Sequence, residues 1–258
     1  MNHPLHVHTP WRMIDALLPF LLENHLQPEV AFQASDLASL SHNQLTSIAD
    51  LFRERGLSIT VHAPFMDLNP GALDPLVANS TGVRLRQSID AAAWLQAKLI
   101  VIHPGYDRWR YDRQPEIWLE KACEFFPPLL DHASCSGQQL ALENIFEENP
   151  NTLVSLIDYL DHPSLGHCFD IGHWHLFGSD FPIDLWLQAL GPKLFHLHLH
   201  DNFGKADDHL PLGTGQIDFA PLATYLKTCP FFPSMTLEAH NLEDLKHSLA
   251  ALPKILHI

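Results

Sequence analysis

The sequence predicts an α/β fold, a single (β/α)8 or TIM barrel spanning residues 1–258, and three observations lead there. The length of 258 residues matches the about 250 that eight strand–helix units need. Short β-rich runs alternate with longer stretches of helical apolar spacing, which implies a parallel sheet. Right-handed crossovers then allow that sheet to close. An open doubly wound sheet is the competing topology, but the sequence carries no GxGxxG or P-loop to support it.

The expected strands, in order, are Leu5–His8, Glu29–Gln33, Ser58–His62, Lys98–His103, Gln139–Asn144, Gly166–Ile171, Leu194–Leu199 and Met235–Glu238. Helical spacing runs through Met13–Leu22, Asn43–Arg55, Val83–Leu95, Ile117–His132, Thr152–Leu160 and Leu242–Leu252. Gly56, Gly137 and Gly191 stand near helix ends, where a left-handed cap is expected. Ala34–Ser41 is polar and contains Asp36, so it reads as a loop folded over the barrel mouth.

Composition narrows the function classes. Apolar residues make up 46% of the chain, and mean hydropathy is −0.03, as in globular proteins. No stretch approaches the roughly 20 apolar residues of a membrane span, so no membrane partner is expected. Met1-Asn2-His3-Pro4 is not a basic segment followed by an apolar run, so no secretory signal is expected. The four cysteines are scattered without a CxxC pair, which suits reduced thiols in a cytoplasm. Thirty acids against 15 bases give a net charge of −15. Such a surface repels a phosphate backbone and argues against binding long nucleic acid.

The chemistry lies where the expected strands end. The third closes on His62, the fourth on His103, the fifth on Glu143, the sixth on Asp170 with His173 just beyond, the seventh on His198, and the eighth on Glu238. In a barrel these ends converge on one mouth, where barrel enzymes do their chemistry. Glu143, Asp170, Glu238 and the loop residue Asp207 would repel one another there without a counter-charge. Divalent cations supply one. Imidazole and carboxylate together suit zinc, and also manganese or iron. Asp207 and His209 lie two apart, so they face the same side of an extended loop, and Gly213 and Gly215 permit a tight turn after it. His167, His175, His196 and His200 are either core or capping histidines, or partners of the ligands.

The segment after His103 gathers Arg108, Arg110 and Arg113 with Tyr106, Trp109 and Tyr111. Arginine pairs with phosphate through two parallel hydrogen bonds, and the rings can stack on a planar group. Arg108, Trp109 and Arg110, joined by Arg12 and Phe65, are therefore candidate contacts for a compact phosphorylated small molecule with a flat or bulky part.

The motifs Phe169-Asp170-Ile171-Gly172-His173, His196-Leu197-His198-Leu199-His200-Asp201 and the Asp207–Gly215 pattern DxHxxxGxG give a family resemblance. From about Ile59 to His240 the chain resembles the xylose-isomerase-like TIM barrels (AP endonuclease family 2), and within them the endonuclease IV branch. The resemblance implies up to three zinc ions. His62, His103 and Glu143 would hold the first, and Glu143 would bridge to a second held also by Asp170, His198 and Glu238. His173, Asp207 and His209 would hold the third.

This ligand set implies metal-dependent hydrolysis of a phosphodiester in a small or medium-sized metabolite. The ions would activate water and Glu238 would orient or deprotonate it, with Glu143 the other catalytic carboxylate. Cobamide-remodelling phosphodiesterases of the same superfamily are one precedent. The alternative is the sugar isomerase and epimerase branch, which keeps Glu143, Asp170, His198 and Glu238 around one metal and uses the glutamates to move a carbon-bound proton. DNA repair is a further alternative. His200 stands where the endonucleases usually carry Asn, Phe65 where they place an intercalating Tyr, and no Arg occurs between Gln33 and Ser41.

Overall fold

A computed structural model describes residues 4–231 and 233–257. Eight parallel strands close into a barrel in sequence order. They are β1 (Leu5–Pro10), β2 (Gln27–Ala31), β3 (Thr60–His62), β4 (Leu99–Ile102), β5 (Gln139–Glu143), β6 (Leu165–Asp170), β7 (Leu194–Leu199) and β8 (Ser234–Leu237). Closure is made by β8 on β1, with Leu5 opposite Met235, His6 opposite Thr236 and Val7 opposite Leu237. The expected barrel is thus observed, and the open sheet is not.

The crossover helices include α1 (Ile14–Glu23), α2 (His42–Arg53), α3 (Pro75–Trp94), α4 (Pro115–Phe125), α5 (Pro127–Cys135) and α6 (Asn151–Leu160). A single helical turn, α7 (Ile171–His173), follows β6, and α8 (Ile183–Leu190), α9 (Ala220–Thr228) and α10 (Leu242–Leu256) complete the ring. Two differences from the sequence reading have plain causes. The stretch Ile117–His132 is two helices, because Pro127 and Pro128 supply no backbone N–H to continue the first. Helix α3 starts eight residues earlier than apolar spacing suggests, because Asp74 accepts the Leu76 N–H and Pro75 occupies the first turn. Gly56, Gly137 and Gly191 all have positive φ, as expected at helix ends. Ala34–Ser41 contains one short turn, Asp36–Ala38, and Ala34 and Ser35 border the cavity at the mouth.

Alternation along the strands separates two interiors. Outward residues such as Val30, Val61, Ile100, Leu142 and Leu197 pack under the helices in the main core. Inside the barrel a small apolar cluster of Leu99, Val101, Ala141 and Cys168 shares the space with fully buried Glu29, His196 and Thr236. Barrel interiors are usually filled by branched apolar side chains, so this polar half needs internal partners. Glu29 provides them. Its Oε2 accepts from Thr60 Oγ1 at 3.2 Å and Thr236 Oγ1 at 3.0 Å and lies 3.1 Å from His196 Nε2.

Where β6 meets β7 the register shifts between His167 and Cys168, and Gly166 allows the close approach. A Cβ at Gly166 would lie 2.5 Å from both the Lys193 carbonyl oxygen and the Phe195 ring. Gly166→Ala is expected to cost about 1–3 kcal/mol of stability, read as a lower Tm by tryptophan fluorescence. An unchanged Tm would show that the strands can separate without loss.

Candidate metal centre

All nine residues singled out at strand ends and in the β7–α9 loop meet at the C-terminal mouth. Glu143 is the hub. Its Oε2 lies 3.1 Å from His62 Nε2 and 3.2 Å from His103 Nε2. Its Oε1 lies 3.2 Å from His173 Nδ1 and 3.3 Å from His198 Nδ1. One carboxylate therefore faces imidazoles from β3, β4, α7 and β7. His198 Nδ1 also lies 3.6 Å from Glu238 Oε1 and 3.8 Å from Asp170 Oδ2. On the loop side, Asp207 Oδ2 lies 3.3 Å from His173 Nε2 and 3.6 Å from His209 Nε2.

The scaffold fixes these groups locally. Asn144 holds the ends of β5 and β6 together, donating to the Asp170 carbonyl and accepting the Asp170 N–H, each at 2.9 Å. Asp170 caps α7 by accepting the His173 N–H at 2.6 Å, which places the two side chains side by side. Asp201 is fully buried and anchors the loop that carries Asp207 and His209. Its Oδ1 accepts the N–H groups of Asn202 and Ile217, and its Oδ2 those of Gly213 and Gly215. A Cβ on Gly215 would sit 2.3 Å from that carboxylate, so the glycine is needed for the approach.

Sequence reasoning missed two members of this assembly. His8 lies 3.7 Å from Glu238 Oε1 and borders the cavity; it ends the first expected strand, the same signal that marked the others. Glu29 lies below the mouth, its Oε1 3.0 Å from His198 Nε2. A lone acid inside the strand sequence Gln27–Ala31 was the available clue. Of the histidines left open, His196 is a core residue, hydrogen-bonded to Ser234 and Thr236. His175 bonds the Asn202 side chain, and His167 is buried on β6. His200 joins the mouth, 3.2 Å from Asp170 Oδ1.

The proposed substrate contacts are only partly brought to the site. Phe65 borders the cavity and stacks on His103 at 4.1 Å between centroids, and Arg110 also borders it. Arg108, Trp109 and Arg12 are not among its lining residues. Arg108 pairs with Glu148 and covers the Trp109 ring. Arg12 pairs with Asp36 at 2.7 Å and bonds Ser35. Both guanidiniums are thus paired with carboxylates that lie far off in sequence.

The electrostatics test whether the residues fit divalent ions. Burial drives the Glu143 carboxyl up, but His198 and His103 outweigh it and hold it well below its usual range. Asp170 is likewise lowered, because His173 and His200 outweigh burial. Burial lifts Glu238 to about 7. Burial disfavours charge on His62, His173, His198 and His200, yet the carboxylates raise all four. Without ions, the carboxylates favour proton uptake by these four imidazoles. Even so, Asp170 Oδ2 and both ring nitrogens of His198 and His200 are buried with no hydrogen-bond partner, although neighbours lie within ion-pair distance. Donor atoms of His62, Glu143 and His198, of Asp170, His173 and His200, and of His200, His209 and Glu238 form groups within 4.8 Å. Atoms that are close and unbonded, on residues of the right type, fit divalent cations that displace protons on binding.

This exchange sets a pH dependence. The four raised histidines stabilise the metal-free protein below their unfolded value of about 6.5, and that contribution is lost as pH rises through their folded values. Glu238, raised to about 7, acts in the same direction. His8 and His209, each lowered by burial to about 4, oppose it only below about 6.5. The Tm of chelator-treated protein is expected to fall above pH 6.5, and the Tm gained on adding zinc to grow over the same range. A zinc increment that shrinks with rising pH would contradict this assignment.

Comparison with known proteins agrees with the barrel. Residues 26–255 match the family model described as xylose isomerase-like TIM barrel. A crystal structure of a D-tagatose 3-epimerase-like protein superposes with a TM-score of 0.85 at 25% identity, over 98% of this chain and 97% of that one. A Thermus thermophilus protein soaked with ZnCl2 gives 0.82 at 30% identity, over 98% and 97%. A probable endonuclease 4 of Mycobacterium leprae is 27% identical over 71% of this chain and 74% of its own. The whole-chain likeness to an epimerase-like protein sides with the isomerase alternative more than with phosphodiester hydrolysis.

Proposed function

The chain belongs to the xylose isomerase-like TIM-barrel family, and on that footing we propose that it is a metal-dependent isomerase or epimerase acting on a small polyhydroxylated, sugar-like substrate. The observation that carries this reading is the carboxylate pair. Glu143 and Glu238 leave the ends of β5 and β8 and approach the same imidazole nitrogen, His198 Nδ1, at 3.3 and 3.6 Å. Two carboxylates so placed can flank one substrate carbon. One removes its proton and the other returns a proton to the carbon skeleton. Bound divalent ions would polarise the substrate oxygens and stabilise the negative charge that develops on them. His62, His103, Glu143, Asp170, His173, His198, Asp207, His209 and Glu238 are the residues proposed to hold them.

The walls of the site suit a neutral polyol better than a phosphate ester. The cavity of about 1340 Å³ has Arg110 as its one lining Lys or Arg among the described residues, since Arg108 and Arg12 are engaged elsewhere. Phe65, Met66 and Leu73 form an exposed apolar rim. Ligand pockets usually measure about 300–1,000 Å³, so the space admits a sugar carrying an additional apolar or flat group. No helix among the described residues is long and apolar enough to cross a membrane, and a cytoplasmic setting agrees with the free thiols.

Hydrolysis of a phosphodiester in a metabolite is the second reading, and a specific observation favours it. His62 and His103 converge on Glu143 Oε2 while His173 and His198 face Oε1. That arrangement suits a carboxylate bridging two ions, and proton transfer on carbon needs only one.

One pair of assays separates the readings. Metal-loaded protein is expected to exchange a substrate carbon proton with D2O across a panel of ketoses and their derivatives. Glu143→Gln and Glu238→Gln should each slow that exchange by about 10²-fold or more, while His103→Ala should leave part of it. Cleavage of bis-p-nitrophenyl phosphate without any exchange, abolished by His103→Ala, would replace the isomerase reading with the hydrolase.

A further inference from the structure

Alternation on β7 sends His196, His198 and His200 to one side, into the barrel, while Leu197 and Leu199 pack outward. The three form a column. His196, the deepest, is satisfied on both nitrogens. His198 belongs to the nine residues already assigned. His200, at the top, lies outside those nine, yet it is fully buried, neither ring nitrogen has a hydrogen-bond partner, and it falls in two of the donor groups that lie within 4.8 Å. A buried polar atom left unmatched is costly, so this ring calls for a partner of another kind.

Its surroundings indicate which. His200 Nε2 lies 3.2 Å from Asp170 Oδ1, 3.7 Å from Asp207 Oδ1 and 3.9 Å from Glu238 Oε2. Its ring meets the His209 ring edge-on at 4.2 Å. These neighbours come from two of the three expected ion subsites, so His200 stands at their junction. The space for the ring is made by a single atom's absence. A Cβ on Gly172 would fall 2.0 Å from His200 Cε1 and 2.3 Å from Nε2. The glycine of Phe169–His173 therefore seats this histidine.

We propose that His200 Nε2 is a tenth metal ligand, joining Asp170, Asp207 and Glu238 at the junction of two ion subsites. This rests on the metal reading of the mouth. An imidazole added to carboxylates favours a transition ion such as zinc or cobalt over magnesium or calcium.

The test is Co²⁺ and Zn²⁺ binding to chelator-treated full-length protein, with His200→Ala and His200→Asn compared with wild type. Both variants are expected to bind one ion about tenfold more weakly or worse and to change the visible Co²⁺ absorption, with unaltered far-ultraviolet circular dichroism. Wild-type protein with ¹⁵N-labelled histidine gives a readout that needs no variant. On zinc titration the His200 Nε2 resonance should move to a metal-bound position. Unchanged affinity and Co²⁺ spectrum in both variants, or an Nε2 resonance that ignores zinc, would overturn the proposal. Wild-type protein that binds neither ion would instead overturn the metal reading as a whole.

Discussion

The constraint that organises this molecule is the convergence of like charges at the barrel mouth. Glu143, Asp170 and Glu238 are buried within reach of the same few imidazoles, and buried carboxylates persist only with a counter-charge and hydrogen bonds. The chain itself offers protons on histidines as one solution. Divalent ions are the other, and the unbonded donor atoms of Asp170, His198 and His200 leave room for it. Everything nearby can be read as holding these groups in place against their repulsion.

The supports are polar and deep. Glu29 lies under His198 and ties β2 to β3, β7 and β8 through Thr60, His196 and Thr236. Asp201 collects four backbone N–H groups and so fixes the loop bearing Asp207 and His209. Removing either carboxylate would strand several buried donors at once, which costs more than the loss of one ordinary hydrogen bond. The barrel thus gives up part of its usual apolar filling for a rigid polar base beneath the site.

Much of this could be read from the chain. Each candidate ligand on β3 to β8 ends an apolar run, and strand ends meet at one face of a barrel, so a local pattern carried global information. His8 obeyed the same rule on β1 and could have been found by it. His200 was marked by its two-residue spacing from His198. Glu29 was harder, because its importance comes from closure of the barrel, which brings β2 against residues some 170 positions away. The arginines of the β4–α4 loop have surroundings that stayed hidden for a related reason. Their residue type suggests phosphate, but Glu148, which neutralises Arg108, lies 40 residues further on, and no local pattern announces the pair.

The central claim is that the converging His, Asp and Glu side chains form a divalent-metal centre. Elemental analysis of protein purified without chelator, repeated after chelation and reconstitution with zinc or manganese, tests it most directly. The account predicts more than one tightly held ion per chain, and fewer after Asp207→Asn combined with His209→Ala in a protein that remains folded. A folded wild-type protein that takes up no divalent ion in either preparation would contradict it.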